Sequence, residues 1–423
     1  MSDEKMTAPI RTPHWRSLLG TVCLSLSLLL GLFFPTSIRG EISKGLGYLC
    51  SLILLGIYSG LTVSAGSLAG PSLLICSLTI NASLLLASLL SDLSDLAFGA
   101  YAFYFLLSCL YVLDLRGLHP SRLLNRVFTV ASVALLLLAA ASLLGIDQVT
   151  SVFINSYCAF YPELVPSMFR LGKPVLMFGS HSLAGFFYYL FFLLNFLNYT
   201  RHKRVVNLAL ALCFLCTSLT LQSLTAYVYV IVGVLQVLVH FGVHRNVVVR
   251  LVTLALSACT ACALVLNQEA RGLIWSAIAP LFTSNINGLA ARYTSVGTLA
   301  TNIEYILDNP FRPVGVRYSQ DLWFVDSGVV EYMLRGSLFL VAAIYVGLFL
   351  FLKKNLRLLA HCVLLYGVYI AFEVGFSNLI YLRTLYLMPF VIVFLNSGPE
   401  DKSIRSRGSP CALAVPPMED AAT

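Results

Sequence analysis

The chain has 423 residues, of which 58% are hydrophobic and only 11% charged, with a formal net charge of +8; its mean hydropathy is +0.86. A water-facing shell around a body of this size needs far more charge, so these values exclude a soluble globular protein. The positive balance does not point to nucleic acid either, because the basic residues are scattered in short segments between apolar runs.

After a polar N-terminal stretch, apolar runs fall near 17–34, 46–64, 72–91, 97–113, 127–145, 174–198, 205–221, 224–242, 250–266, 328–352, 358–376 and 380–396. Such runs match the roughly 17–25 residues needed to cross about 30 Å of hydrocarbon. Inside that layer each backbone group must bond within its own segment, so the runs are predicted helices. The alternation of a membrane barrel is absent. The expected fold is all-α, a polytopic transmembrane bundle of about 12 spans forming one integral membrane domain over 1–423, with tails at 1–16 and 398–423. The first run lacks a small-residue cleavage site and is followed by Phe34-Pro35, so it reads as a retained span. Cysteines such as Cys50, Cys76, Cys213 and Cys216 lie within predicted spans, and the Cys213–Cys216 spacing has no second ligand pair, so no metal and no cofactor is expected.

Charge sets the orientation. With a cytoplasmic N-terminus, the inner segments hold Lys5, Arg11, Arg16, Arg116, Arg122, Arg126, Arg201, Lys203, Arg204, Arg245, Arg250, Lys353, Lys354, Arg357, Lys402, Arg405 and Arg407, which is most of the 27 Lys and Arg. Positive charge kept in short inner loops is what fixes topology, so both termini are expected inside. Two longer loops then face outward, at 146–173 and 267–327, the second between spans 9 and 10. Loops of that length usually carry function. Within the second, 298–307 reads as a short amphipathic helix stopped at Asn309-Pro310.

The outer loops hold Arg170, Arg271, Arg292, Arg312 and Arg317 against the topology rule. A guanidinium presents a fixed fork of donors suited to phosphate, so these fit an anionic head group; they fit equally a solvated network with Glu304, Asp308, Asp321 and Asp326. His181, in Phe178-Gly179-Ser180-His181-Ser182-Leu183-Ala184-Gly185, suits a base or phosphate donor, or simply belongs to a helix-capping turn. Asp326 and Glu331 open the tenth run. Either can accept a proton from a sugar hydroxyl; alternatively Asp326 is an N-cap and Glu331 pairs with Arg335 one turn on. Glu373 and Arg383 read as a structural ion pair near the eleventh and twelfth runs.

Taken together, Arg170 with the turn at 178–184, Leu219-Thr220-Leu221-Gln222-Ser223-Leu224-Thr225-Ala226, Arg292, Asn309-Pro310-Phe311-Arg312-Pro313-Val314-Gly315-Val316, and Asp326-Ser327-Gly328 with Gly336 resemble the O-antigen polymerase and ligase superfamily of Wzy-type membrane glycosyltransferases. The resemblance covers roughly 165–396. It implies a metal-independent enzyme of the bacterial inner membrane that joins glycan units on the periplasmic face. Its donor would be an undecaprenyl-diphosphate-linked oligosaccharide held among membrane lipid, with a chain-length regulator as partner and no nucleic acid. Arg170, Arg292, Arg312 and Arg317 would bind the diphosphate, and Asp326, Glu331 and His181 compete for the role of base. The histidine that ligases carry late in this loop is missing from 267–327, which favours polymerase over ligase. A flippase of the same lipid-linked oligosaccharide would place more charge inside its spans.

Overall fold

The computed structural model describes residues 14–35, 42–90, 98–157, 164–243, 299–315 and 327–396, and every element in them is helical apart from one antiparallel bridge between Leu68 and Leu113. The helices are α1 (His14–Phe33), α2 (Ile42–Ala65), α3 (Pro71–Leu90), α4 (Phe98–Tyr111), α5 (Arg122–Leu143), α6 (Asp147–Tyr157) and α7 (Leu164–Arg170). They continue as α8 (His181–His202), α9 (Val205–Thr220), α10 (Leu224–Val243), α11 (Ala300–Asp308), α12 (Gly328–Asn355), α13 (Leu359–Glu373) and α14 (Leu382–Leu395). Six of them are long and apolar enough to cross a membrane, and five shorter apolar helices accompany them among the described residues. The outward faces are themselves apolar: Leu52, Ile75, Val130, Leu137 and Ile231 are each 60% or more exposed. In water such a surface would drive association, whereas in hydrocarbon it costs nothing. The protein is therefore an α-helical membrane protein.

At the centre stands α14, every residue of which is buried. It packs on α1, α4 and α8. The Tyr58 hydroxyl donates to the Leu385 carbonyl at 2.7 Å, Tyr386 donates to the Cys50 carbonyl at 2.6 Å, and Ser27 donates to the Tyr386 carbonyl. Gly31 lets α1 approach closely: an added Cβ would lie 2.9 Å from the Cβ of Tyr386. Small residues at such crossings are how apolar helices gain dispersion contacts without help from water.

Polar groups tie the two ends of the bundle differently. At the end where α4, α12 and α14 finish, Asn355 accepts from the Leu115 N–H at 2.6 Å and donates to the Leu113 carbonyl at 3.3 Å, while Asn396 donates to the Asn355 carbonyl at 2.6 Å. Arg201 at the end of α8 donates to the Phe394 and Leu395 carbonyls, orphan acceptors of the last turn of α14. Asp114 accepts from Arg116 and lies 3.7 Å from Lys354. Burial works against the Asp114 charge, but the Arg116 hydrogen bonds and the nearby Lys354 outweigh it and hold this carboxyl below its ordinary range. We call this the basic end, and the opposite one the mouth end.

Several expectations shift in detail. The span expected at 174–198 begins later, at His181, because Val175–Gly179 is a tight turn (Gly179 φ 76°) and the Ser180 side chain accepts from the Leu183 N–H to start the helix. The stretch 146–173 is largely folded, as α6, α7 and a 3-10 turn at Leu176–Phe178 that follows them. The short helix expected at 298–307 is α11, ended at Asn309. The span expected at 250–266 lies outside the described residues.

Candidate functional site

The mouth end is built around the start of α12. Ser327, not Asp326, caps this helix, its side chain accepting from the Val330 N–H at 3.3 Å. One turn on, the Arg335 Nε donates to Glu331 Oε1 at 2.9 Å, and both residues are buried. Their i, i+4 spacing puts the pair on one face of the helix, where each charge offsets the cost of burying the other. The expected Glu331–Arg335 contact is thus present.

Immediately after this pair, α12 is broken: Gly336 and Ser337 leave helical geometry. At 1.5 Å per residue the whole element would measure about 42 Å, more than a hydrocarbon layer needs, whereas Leu338–Asn355 alone spans about 27 Å. The turns Gly328–Arg335 therefore form a separate cap above the spanning part. Onto that cap lies α11, whose Ile303 and Ile306, with Leu299 just before it, pack with Val330 and Leu334. The chain then runs from Asn309 to Gly315 across the break, where the Val314 N–H donates to the Leu334 carbonyl at 2.7 Å. This carries Arg312, an exposed side chain, to within two residues of that anchor.

Below the cap sits Glu373, fully buried at the end of α13. Its Oε1 accepts from the Leu379 N–H at 2.6 Å, and Tyr345 donates to Oε2 at 3.4 Å. Gly328 is pressed against that carboxylate, so that a methyl at this position would land on Oε2. The expected Glu373–Arg383 pair is replaced by separate contacts. Arg383 donates to the carbonyls of Gly31 (2.9 Å), Leu32 (2.8 Å) and Phe34 (3.4 Å) at the end of α1, and lies over the Tyr157 ring at 5.2 Å. Its several donors meet three orphan carbonyls of a helix C-terminus at once, while Glu373 is held instead by the Leu379 N–H.

Beside this stands the start of α8. His181 is its first residue and half-buried; Ser182 lies 3.4 Å from Ser223 in the turn between α9 and α10. Gly185 lets α10 approach, an added Cβ meeting that of Ala226 at 2.8 Å. The turn at 178–184 and the 219–226 segment are therefore in contact. Phe186 then packs on Phe372, next to Glu373, and links both parts of the mouth (ring centroids 4.9 Å). Lys173, in the turn before α8, is pulled below its ordinary ammonium range by burial.

Of the residues expected at a site, Glu331, Arg312 and His181 are at the mouth end. Arg170 is exposed at the end of α7, which packs beside α6. Arg292, Arg317 and Asp326 lie outside the described residues. Among the described residues no three His, Cys, Asp or Glu side chains cluster in a way that would hold a metal ion.

No family model, no curated protein and no solved structure matches this chain.

Tyr345 and the break at Gly336–Ser337 escaped sequence reasoning. A glycine-serine pair within an apolar run is ordinary in spanning helices, and its signal here lies in a partner segment over twenty residues upstream.

Proposed function

We propose that the chain is a bacterial inner-membrane polysaccharide polymerase that joins polyprenyl-diphosphate-linked repeat units on the periplasmic side. One observation supports this most. The Asn309–Gly315 segment, part of the family resemblance, is anchored in the break of α12, bringing Arg312 to the cap that carries Glu331 and Arg335. The basic end then faces the cytoplasm with both termini, and the mouth faces the periplasm.

In the reaction an acceptor sugar hydroxyl attacks the anomeric carbon of the donor, the bond to the diphosphate breaks, and the hydroxyl proton passes to a base. Arg312 and Arg170, with Arg292 and Arg317, neutralise the departing diphosphate. Glu331 is enclosed and engaged with Arg335, so it suits positioning better than proton transfer. His181 and Asp326 are the better candidates for the base, His181 because a half-buried imidazole at a helix start is within reach of a substrate. A donor whose lipid tail stays in the bilayer reaches a site at the helix mouths without leaving the membrane.

Chromosomal deletion tests the reading through gel analysis of surface polysaccharide and of the lipid-linked pool. A polymerase leaves a single repeat unit on its final acceptor and no long polymer. Repeat units accumulating on the carrier inside the cell would mean a flippase, and polymer retained on its carrier lipid would mean a ligase.

A further inference from the structure

In an uninterrupted α12 the Leu338 N–H would bond the Leu334 carbonyl, four residues back. Both groups are diverted instead. The Leu334 carbonyl accepts from Val314 at 2.7 Å and from Gly315 at 3.3 Å, and the Leu338 N–H donates to the Pro310 carbonyl at 3.2 Å. The Pro310–Gly315 segment is therefore inserted between the donor and acceptor of a helical bond that would span the break. An aromatic contact closes it from outside, Phe311 on Phe339 with ring centroids 5.6 Å apart.

Two residues form the break, and each is under constraint only while it is open. Ser337 has φ 64° and ψ −171°, a region that residues other than glycine rarely enter. Gly336 has its open face against Leu340, where an added Cβ would lie 2.7 Å from the Leu340 Cβ. In helical geometry the strain at Ser337 is relieved, and a Cβ at 336 takes its regular place on the helix surface.

We propose that α12 exchanges between two hydrogen-bonded states. In the clasped state Pro310–Gly315 occupies the break. In the straight state the Leu338 N–H returns to the Leu334 carbonyl and the segment is released. The Leu334 carbonyl and Leu338 N–H are satisfied in either state, and the Val314 and Gly315 N–H groups and the Pro310 carbonyl trade protein for water, so none of these groups is left a buried orphan. Clasping brings Arg312 to the Glu331–Arg335 cap, and release takes it away. The exchange stands on the backbone geometry alone, whereas its consequence, a diphosphate site complete only when clasped, rests on the polymerase reading.

Hydrogen exchange on the full chain in detergent, read at single amides, tests this. Replacing both residues at the break by a stronger helix former, Gly336→Ala with Ser337→Ala, should speed exchange at Val314 and Gly315 roughly tenfold, the size expected from helix propensity at two positions and the Leu340 clash at 336. Leu338 should stay protected, because its donor returns to Leu334. Ser337→Gly should act in the opposite sense and slow exchange at Val314 and Gly315. The proposal is overturned if Leu338 loses protection together with Val314 and Gly315, or if Ser337→Gly leaves them unchanged. Added undecaprenyl diphosphate should slow exchange at Val314 and Gly315 in the parent chain. The expected responses to substitution without any response to this lipid would support the exchange and count against the diphosphate reading.

Discussion

Gly328→Ala is the sharpest test of how the mouth is assembled. The new methyl would land on Glu373 Oε2, 2.9 Å from its carboxyl carbon and 3.2 Å from the Ser377 Cα. Overpacking of this kind costs about 1–3 kcal/mol. The carboxylate cannot step aside freely, because its other oxygen holds the Leu379 N–H at 2.6 Å. Displacing it leaves a buried donor unmet, a further ~1–3 kcal/mol. Replacing glycine in a helix returns roughly 0.5–1 kcal/mol. The net loss is about 1–5.5 kcal/mol, which lowers the folded-to-unfolded ratio on the order of 5- to 8000-fold. Denaturant titration of the full chain in mixed micelles measures it, and a variant as stable as the parent would refute the packing described. Pairing Gly328→Ala with Glu373→Ala should recover part of the loss, since the two residues are in contact and their effects cannot add.

Other outcomes follow from the two ends of the bundle. Arg383→Met strips the charged donor from three carbonyls at the end of α1 and should destabilise the chain by roughly 3–5 kcal/mol in the same titration. Arg383→Lys should restore less than half of this, because an ammonium cannot fork to several acceptors. Asp114 predicts acid sensitivity. Its folded carboxyl lies below the ordinary range, so the stabilisation it contributes is complete above that range and is lost as pH falls through the folded value. Asp114→Asn should flatten the acid limb of a stability–pH profile and leave the neutral region lower than in the parent chain. In cells, Arg312→Ala should shorten or abolish long polymer on surface-polysaccharide gels while the chain remains in the membrane. Unchanged polymer length would remove Arg312 from the proposed diphosphate site.

Much of the fold was legible because hydrocarbon imposes a strong rule: a span must be apolar and must satisfy its own backbone. Even so, α8 begins seven residues after the start of its apolar run, because hydropathy cannot register the turn at Gly179 or the Ser180 cap. The end of α11 at Asn309 was readable from Asn309-Pro310, a local stop signal. The Glu331–Arg335 pair was readable for a similar reason, since i, i+4 spacing is local. Long-range choices were not. Arg383 prefers the end of α1, more than three hundred residues away, to the nearby Glu373, and no periodicity announces that. The break in α12 is hidden for the same reason, because Gly336-Ser337 becomes meaningful only once Pro310–Gly315 lies against it.

Reconstitution of the purified chain in liposomes tests the central claim most directly. The liposomes would carry a polyprenyl-diphosphate-linked oligosaccharide at the outer surface and would be supplied with a chelator. The account predicts a ladder of lengthening glycans with one polyprenyl diphosphate released per unit joined, and loss of the ladder with Arg312→Ala. Movement of the lipid-linked oligosaccharide across the bilayer without any ladder would contradict it.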